Sequence, residues 1–421
     1  MISFWRIFWL EFTGFVRSKT LALLVLASVG WMFGLPFVMK GDGTAEGARE
    51  LYVNYSLGGV FALLVIALAA SATGSLARER EAKRLQLTLV RPVRYTLVVL
   101  SKILAHVALG ALVLAVACGA LAFKVDLGRP CDHVLSPVLP PVRAEAEAMY
   151  RKYMDDPETP DDIKKMKKET VLSLLENRAL DRYVAIRTNE TATLKFDSGS
   201  LPPAPRSLAV RMRFTNQYEM RQDVRGTFAF GAYRGAVSNI TQAVIRVPLA
   251  AGAQDAELGT GALTFENHGR SAVMLRPRKD INLLVPADSF GWNLVRSYVV
   301  LLAILSFVIS LGMFLSAGLG RPVALFVAFV TLVVSEMSPS VIEQYPDSLQ
   351  TGLVDRIGLY ITRFAAEVTR PVSSATPLES LAKDECVEPG TVLRLAAADF
   401  LAVPVLLALL SALVLPRKEE V

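Results

Sequence analysis

Residues 76–102 read LAREREAKRLQLTLVRPVRYTLVVLSK and separate two long apolar runs. Six basic side chains lie in this stretch before residue 95, and a basic segment between two candidate membrane spans is typical of a cytoplasmic loop. Leucines at alternate positions, followed by Pro92, indicate a short structured element rather than a slack linker. The six basic residues are Arg78, Arg80, Lys83, Arg84, Arg91 and Arg94. We therefore expect the loop to receive force or information from a partner on the cytoplasmic side.

The composition is that of a membrane protein. Of the 421 residues, 52% are hydrophobic and only 20% are charged, and the mean hydropathy is +0.41. Soluble domains carry about a quarter charged residues. The net charge of +6 is concentrated in the loop. We therefore interpret it as charge that sets membrane topology, and we expect no nucleic-acid partner.

Apolar runs predict a membrane all-α fold, a bundle of six spans of roughly 20 residues each, the fifth being short. The runs cover residues 20–39, 56–77, 96–123, 296–319, 322–334 and 395–415, so that 20–123 and 292–421 hold three spans each. Residues 1–19 precede them as an amphipathic helix at the membrane interface, or as the start of the first span. The positive-inside rule puts the basic loop and both termini in the cytoplasm, and Lys102 is expected to snorkel towards that interface.

Residues 124–291 form a polar α+β insert, which this topology places outside the cytoplasm between spans three and four. A helix at 142–153 and a second that begins at Pro160 predict a helical hairpin. Later in the insert, short alternating runs separated by Gly, Asn and Pro predict an antiparallel β-sandwich. Those runs are 208–214, 227–232, 243–249, 262–266, 272–276 and 281–285. Residues 336–394 also lie outside and contain an amphipathic stretch that fits a re-entrant helix.

The sequence contains no catalytic or nucleotide-binding motif. It lacks GxxxxGK[ST], HExxH, GxSxG and CxxC. The run Cys131-Asp132-His133 has too few ligands at too short a spacing to predict a metal site. We therefore expect this chain to be no enzyme and to hold no cofactor or metal.

The cysteines allow one disulfide. Cys131 and Cys386 both lie outside the cytoplasm in the predicted topology, whereas Cys118 lies within the third span. An oxidising outer compartment favours a bond between the two outer cysteines. Two unpaired cysteines at distant surfaces are the alternative, because the sequence does not give their separation.

Three ionisable side chains fall within or at the ends of the predicted spans, namely His106, Glu336 and Asp399. Such groups are often functional. Glu336 and Asp399 lie near the outer ends of their spans, which favours a role at the interface. An interfacial or packing contact and a proton relay are the two interpretations.

The loop resembles that of the permease subunits of type-2 ATP-binding cassette (ABC) exporters. The resemblance rests on EREA at 79–82, LQL at 85–87, RPVR at 91–94 and LSK at 100–102. An amphipathic N-terminal helix, six spans, inside termini and an outer re-entrant segment also resemble this family. The sequence departs from the family pattern at Lys83-Arg84, Arg94-Tyr95 and Ser101, where Gly-Thr, Ser-Arg and Gly are usual.

The resemblance implies that residues 76–95 form a coupling helix that docks on a separate ATPase subunit, with a smaller second contact near Arg321. The residues implied in coupling are Arg78, Glu79, Arg80, Glu81, Leu85, Arg91, Pro92 and Arg321. ATP would be bound by the ATPase, and a second copy or a related permease would complete a dimer in the lipid of a bacterial inner membrane. The alternative is that the basic residues only set topology.

The prediction that follows is a permease subunit that moves a substrate across the cytoplasmic membrane with ATP hydrolysed by a separate subunit. The alternative is a membrane-anchored envelope binding or assembly protein whose outer domain grips a partner. An intramembrane enzyme would need a catalytic constellation that the sequence lacks. The sequence specifies neither the substrate nor the direction of transport.

Overall fold

The structure is a computed structural model of the chain. It describes residues 2–39, 45–81, 94–157, 159, 164, 166, 168–180, 184–197, 208–215, 222–241, 244–251, 261–344 and 377–419. The chain divides into two compact units. One comprises Met1–Arg129, Ser289–Gln344 and Gly352–Val421, and the other comprises Pro130–Asp288 and Tyr345–Thr351.

The helices are numbered in chain order. They are α1 (Ile2–Arg17), α2 (Lys19–Val38), α3 (Ala45–Glu81), α4 (Tyr95–Ala122), α5 (Val142–Asp155), α6 (Lys168–Leu180), α7 (Phe290–Gly318), α8 (Arg321–Gln344), α9 (Pro377–Ala382), α10 (Pro389–Leu395), a π-helix (Ala396–Ala402) and α11 (Val403–Glu419). All of these except α5 and α6 lie in the first unit.

Five helical segments in the described part of the chain are long and apolar enough to cross a membrane. They are Leu21–Val38, Gly47–Glu79, Tyr95–Ala122, Phe290–Gly318 and Pro389–Val414. The span predicted at 322–334 falls in α8, whose apolar segment within the described residues is Arg321–Thr331. Most side chains after Thr331 in this helix lie outside the described part of the chain, so the length of the span is not tested there. The multi-pass membrane fold is therefore confirmed with five candidate spans, and the sixth stays a prediction.

The second predicted span begins at residue 56, but α3 begins at Ala45, so residues 45–55 between the first two predicted spans are helical. The segment AEGARELYVNY is polar, and its polarity placed it outside the predicted span. It holds good helix formers and no proline, so the helix of the second span extends through it. The result is a 37-residue helix that ends at Glu81, directly before the basic loop.

Helix α7 occupies the centre of the membrane unit, and 72% of its span is buried. It packs against α3, α4 and α11, and small residues permit the close approach. A Cβ atom at Gly110 of α4 would lie only 2.3 Å from Leu305 Cδ2 of α7. At Gly312 of α7 it would lie 3.3 Å from Thr73 Cγ2 of α3.

Two polar contacts fix the segment around α9 against the spans. Asn293 of α7 donates through Nδ2 to the Glu385 carbonyl at 2.7 Å and accepts from the Val387 amide at 2.8 Å. Arg49 of α3 forms an ion pair with the buried carboxylate of Asp384. Of the re-entrant segment predicted within 336–394, residues 345–376 lie outside the described residues.

The second unit is built on β-strands. They are β1 (Pro130–Leu135), β2 (Val184–Ile186), β3 (Thr191–Lys195), β4 (Leu208–Arg213), β5 (Asp223–Phe230), β6 (Tyr233–Ile240), β7 (Val244–Ala251), β8 (Ala262–Asn267), β9 (Val273–Leu275) and β10 (Ile281–Ser289), the last ending at the unit boundary. Eight of them form a sheet in the order β1-β10-β4-β7-β6-β5-β8-β3, and β2 pairs with β9 in a second sheet.

All six alternating runs of the sequence correspond to strands, β4, β5 and β7–β10, and the paired neighbours among them are antiparallel. The sheets are unequal, with eight and two strands, where a sandwich was predicted. Both sheets nevertheless contribute to one core, in which the ring of Phe265 stacks on Phe228 at 4.5 Å between centroids. The sequence did not predict β6, whose Gly235 and Asn239 interrupt the pattern of a strand.

The predicted helical hairpin is present as α5 and α6, which pack through Ala146, Val171, Leu172 and Leu175. In the described residues the second helix begins at Lys168. The start predicted at Pro160 lies outside the described residues. On the exposed side of the hairpin, Arg143 of α5 pairs with Glu169 and Glu176 of α6.

Candidate functional site

The side chain of Lys102 is buried, with 2% of its surface exposed, on the second turn of α4. Its Nζ donates to Glu79 Oε1 at 2.8 Å, to Ser75 Oγ at 3.0 Å and to Glu11 Oε1 at 3.2 Å. An ammonium group has three donors, so these acceptors use all of them. A buried charge requires such compensation, and Lys102 receives it from two other helices, α1 and α3. We call Glu11, Ser75, Glu79 and Lys102 the Lys102 cluster.

Glu11 attaches the amphipathic helix α1 to this cluster. Its Oε1 accepts from Ser75 Oγ at 2.6 Å as well as from Lys102. Burial works to raise the pKa of Glu11, but the Lys102 ammonium and the Ser75 hydroxyl together hold that pKa below its ordinary value. Glu11 is therefore a carboxylate at neutral pH, and α1 carries a negative charge to the positive one on α4.

His106 lies one turn after Lys102 on α4 and is fully buried. Its Nδ1 is 2.8 Å from the Lys102 carbonyl oxygen, and its Nε2 is 3.2 Å from Ser71 Oγ on α3. Because the carbonyl only accepts, Nδ1 carries the hydrogen, and Nε2 can accept from the Ser71 hydroxyl. The ring of Phe15 on α1 packs edge-on against the imidazole at 4.6 Å between centroids. His106 thus adds a second contact among the same three helices.

Two predicted contact elements come together near Gly74 on α3. Arg78 is exposed, and its Nε donates to the Gly74 carbonyl at 2.8 Å. Arg321 begins α8 after the short turn that follows α7. A Cβ atom at Gly74 would lie 3.1 Å from Arg321 Nε. The end of α3 and the turn before α8 therefore present arginine side chains at one place.

The other residues predicted for coupling are placed only in part. Glu79 lies in the Lys102 cluster, with 32% of its side chain exposed. Arg80 and Glu81 belong to the last turn of α3, but their side chains are outside the described part of the chain. Leu85, Arg91 and Pro92 also lie outside it, and so does the side chain of Glu336.

The prediction that Lys102 snorkels to the interface is wrong. Its side chain points into the bundle because Glu11, Ser75 and Glu79 offer acceptors there. Sequence reasoning missed this cluster, since Glu11 is 91 positions away and Ser75 is a small residue in an apolar span. The available signal was a lone lysine and a lone glutamate, each within a largely apolar helix.

A cavity of about 310 Å³ adjoins the cluster between α1, α2 and α3. Its polar wall is made by Glu11, Ser71 and Arg78, and Leu24 and Leu68 contribute to its apolar wall. Because this space lies beside α1, part of that helix is not close-packed against the spans. The Glu11 bonds therefore add a polar attachment to the packing of α1 against α4.

The Cys131-Asp132-His133 run makes an ion pair in the second unit. Asp132 is 1% exposed and accepts from Arg246 Nη2 at 2.5 Å. Among the described residues, no three His, Cys, Asp or Glu side chains are grouped as metal ligands would be.

Residues 7–131 match the family model described as ABC-2 family transporter protein. This N-terminal segment is similar to the ABC-2 family of transporter proteins. The match confirms the resemblance stated from the sequence, and it covers α2, α3, α4 and every residue of the Lys102 cluster. Together with the apolar helices, the match supports a multi-pass membrane protein whose N-terminal segment is similar to the membrane component of an ABC transporter.

No curated protein and no solved structure matches the chain. The second unit begins at Pro130, so nearly all of it lies after the matched segment, which ends at residue 131. The family match therefore gives no information on the function of this unit.

Removal of the Lys102 charge is expected to destabilise the membrane unit. Lys102→Met leaves Glu11 and Glu79 without their cation, and removing one partner of a buried ion pair costs about 3–5 kcal/mol. We expect a cost at the lower end of this range, because the side chains of Glu11 and Glu79 are 19% and 32% exposed and water partly solvates them. Thermal unfolding of the purified protein in detergent measures it. Lys124→Met, at an exposed position just after α4, is the control. Equal melting temperatures for the two variants would contradict a structural role for Lys102.

The stability of the membrane unit should also depend on pH through the carboxyl group of Glu11. The pKa of Glu11 is held below its ordinary value of 4.5. The stabilisation that the Glu11 carboxylate contributes is therefore complete above pH 4.5, and it is lost as the pH falls through the lowered pKa. We expect the melting temperature of the wild type to fall more steeply below pH 4.5 than that of Glu11→Gln, which has no proton to gain there. Parallel curves for the two proteins would show that Glu11 does not stabilise the fold as a carboxylate.

Proposed function

We propose that this chain is the permease subunit of an ABC transporter in a bacterial cytoplasmic membrane. It would move a substrate with ATP hydrolysed by a separate ATPase subunit, and it would work as a dimer with a second copy or a related permease. The observation that carries this proposal is the Lys102 cluster, which joins α1, α3 and α4 through one buried ammonium.

The position of the cluster supports coupling. Helix α3 ends at Glu81 and α4 begins at Tyr95, so the basic loop is attached directly to the two helices that Lys102 joins to each other. Sliding the end of α3 past α4 would break the bonds of Lys102 to Ser75 and Glu79. A push on the loop would therefore displace both helices, and α1 with them, as one body.

The charges at this end of the bundle support a partner with an acidic surface. Arg78 is exposed, and Arg321 comes close to the same turn of α3. A partner that carries acidic side chains would pair with these arginines, and opposite charges across an interface set both the encounter rate and the register. An ATPase that docks here would meet the loop and the turn before α8 together.

Several membrane helices leave apolar side chains for lipid or for a second permease. Only 22% of the span on α2 and 22% of the Pro389–Val414 span are buried within the chain. Their exposed residues include Leu26, Phe37, Leu406 and Leu413. Large exposed apolar patches mark membrane or protein interfaces, and a dimer in lipid would cover both faces.

The coupling proposal is tested by charge reversal at Arg78. The chain is co-expressed with candidate ABC ATPase subunits from the same genome, and co-purification and ATP hydrolysis are measured. Arg78→Glu should reduce the affinity by about tenfold, which corresponds to 1.4 kcal/mol, because an acidic surface would then face an acidic partner. Arg151→Glu, on the exposed hairpin helix α5, should change neither.

The alternative is a membrane-anchored envelope binding protein, and it draws support from the second unit, which is compact and has its own core. The same experiment separates the two functions. A wild-type chain that captures no ATPase, together with an Arg78→Glu variant that behaves like Arg151→Glu, would reject the transporter proposal.

We also propose that Cys131 and Cys386 form a disulfide outside the cytoplasm. Cys118 is a free, buried thiol within α4. Alkylation of the denatured protein should therefore label one cysteine without reductant and three after reduction, as read by intact mass. Three labels without reductant would show that the outer cysteines are unpaired.

A further inference from the structure

We propose that Asp399 is a proton-binding site buried in the Pro389–Val414 span. Its side chain has no exposed surface, and neither of its carboxyl oxygens has a hydrogen-bond partner within the described part of the chain. The position is about ten residues into the candidate span rather than in its first turn. The proposal stands on these observations and does not depend on coupling to an ATPase.

The backbone around Asp399 is unusual. Residues Ala396–Ala402 form a π-helix, and the Val403 amide donates to the Ala398 carbonyl, five residues back. The following residue is Pro404, which has no N–H to donate and whose ring disfavours regular α-helical winding before it. Turns of this kind recur at functional sites, and they leave backbone carbonyls without their usual donors. A protonated carboxyl can donate to such a carbonyl, whereas an ionised one cannot.

The surroundings of Asp399 are apolar. The π-helix packs mainly against α7, α10 and α11. On α7 the neighbouring core is formed by Val300, Ala303 and Ile304, and residues 299–318 hold no ionisable side chain.

The ionisable groups on the packed helices lie elsewhere. Arg296 and Tyr298 belong to an earlier turn of α7, and the Tyr298 hydroxyl donates to the Ala111 carbonyl. Arg394 on α10 is exposed, and α11 has no charged residue before Arg417. None of these groups hydrogen-bonds Asp399 among the described residues.

An ionised carboxylate with neither water nor a donor is strongly unfavourable inside a membrane bundle. The neutral acid removes that cost and needs only one acceptor for its O–H group. A metal cation would instead need several oxygen ligands, and no group of three acidic, His or Cys side chains is present among the described residues. The proton is therefore the ligand that this site fits.

Infrared spectroscopy of the full chain in lipid tests the proposal. At neutral pH exposed carboxyl groups are ionised, so a band of the protonated acid, above the amide band, reports a buried neutral carboxyl. We expect this band in the wild type, its loss in Asp399→Asn, and its retention in Glu388→Gln, which changes an exposed acid at the start of the same span. Incorporation of ¹³C-aspartate should shift the band in the wild type, which assigns it to an aspartate even if Asp399→Asn fails to fold.

Two results would overturn the assignment. The first is a wild-type spectrum without the protonated-acid band, or a band that ¹³C-aspartate does not shift or that persists in folded Asp399→Asn. The second is a band that sodium or potassium ions remove at constant pH, because the site would then bind a metal cation in place of the proton.

Discussion

The burial of one ammonium group constrains the whole end of the bundle where the basic loop is attached. Lys102 is 2% exposed, and a charge in that position is tolerated only if its three donors are satisfied. The acceptors come from α1 and α3, so the lysine on α4 fixes the relative positions of three helices at once. Packing alone would allow these helices to slide, whereas hydrogen bonds of defined length do not.

The same constraint explains why α1 belongs to the bundle. An amphipathic helix with exposed Trp5 and Trp9 could lie in the interface without a defined position. The hydrogen bonds of Glu11 to Ser75 and Lys102 fix the position of α1, and the edge-on contact between Phe15 and His106 adds an apolar attachment. A cavity beside α1 shows that its packing against the neighbouring helices is incomplete on that side. A displacement of α3 would then reach the membrane interface through α1.

Much of the fold could be predicted from the sequence, because hydropathy and period are local signals. Long apolar runs predicted the spans that α3, α4 and α7 form, and alternation predicted β4 and β8. The prediction failed where local and tertiary signals differ, as at residues 45–55, which are polar but helical. The site was predicted least well. Glu79 was found by resemblance, while Glu11 and Lys102 became neighbours only through the fold, and a lone lysine in a span gives no sign of its partners.

Lys102 and Asp399, two of the buried ionisable side chains of the membrane unit, show how the fold determines what a charge does. Lys102 has an acceptor for each of its donors, so its charge is retained and serves as a joint between helices. Asp399 has neither a donor nor a cation among the described residues, and it lies where Pro404 has already disturbed the helix. A charge without compensation must be neutralised, and a carboxyl does so by taking a proton. A fully compensated charge thus makes a rigid contact, whereas an uncompensated one makes a site whose occupancy can change.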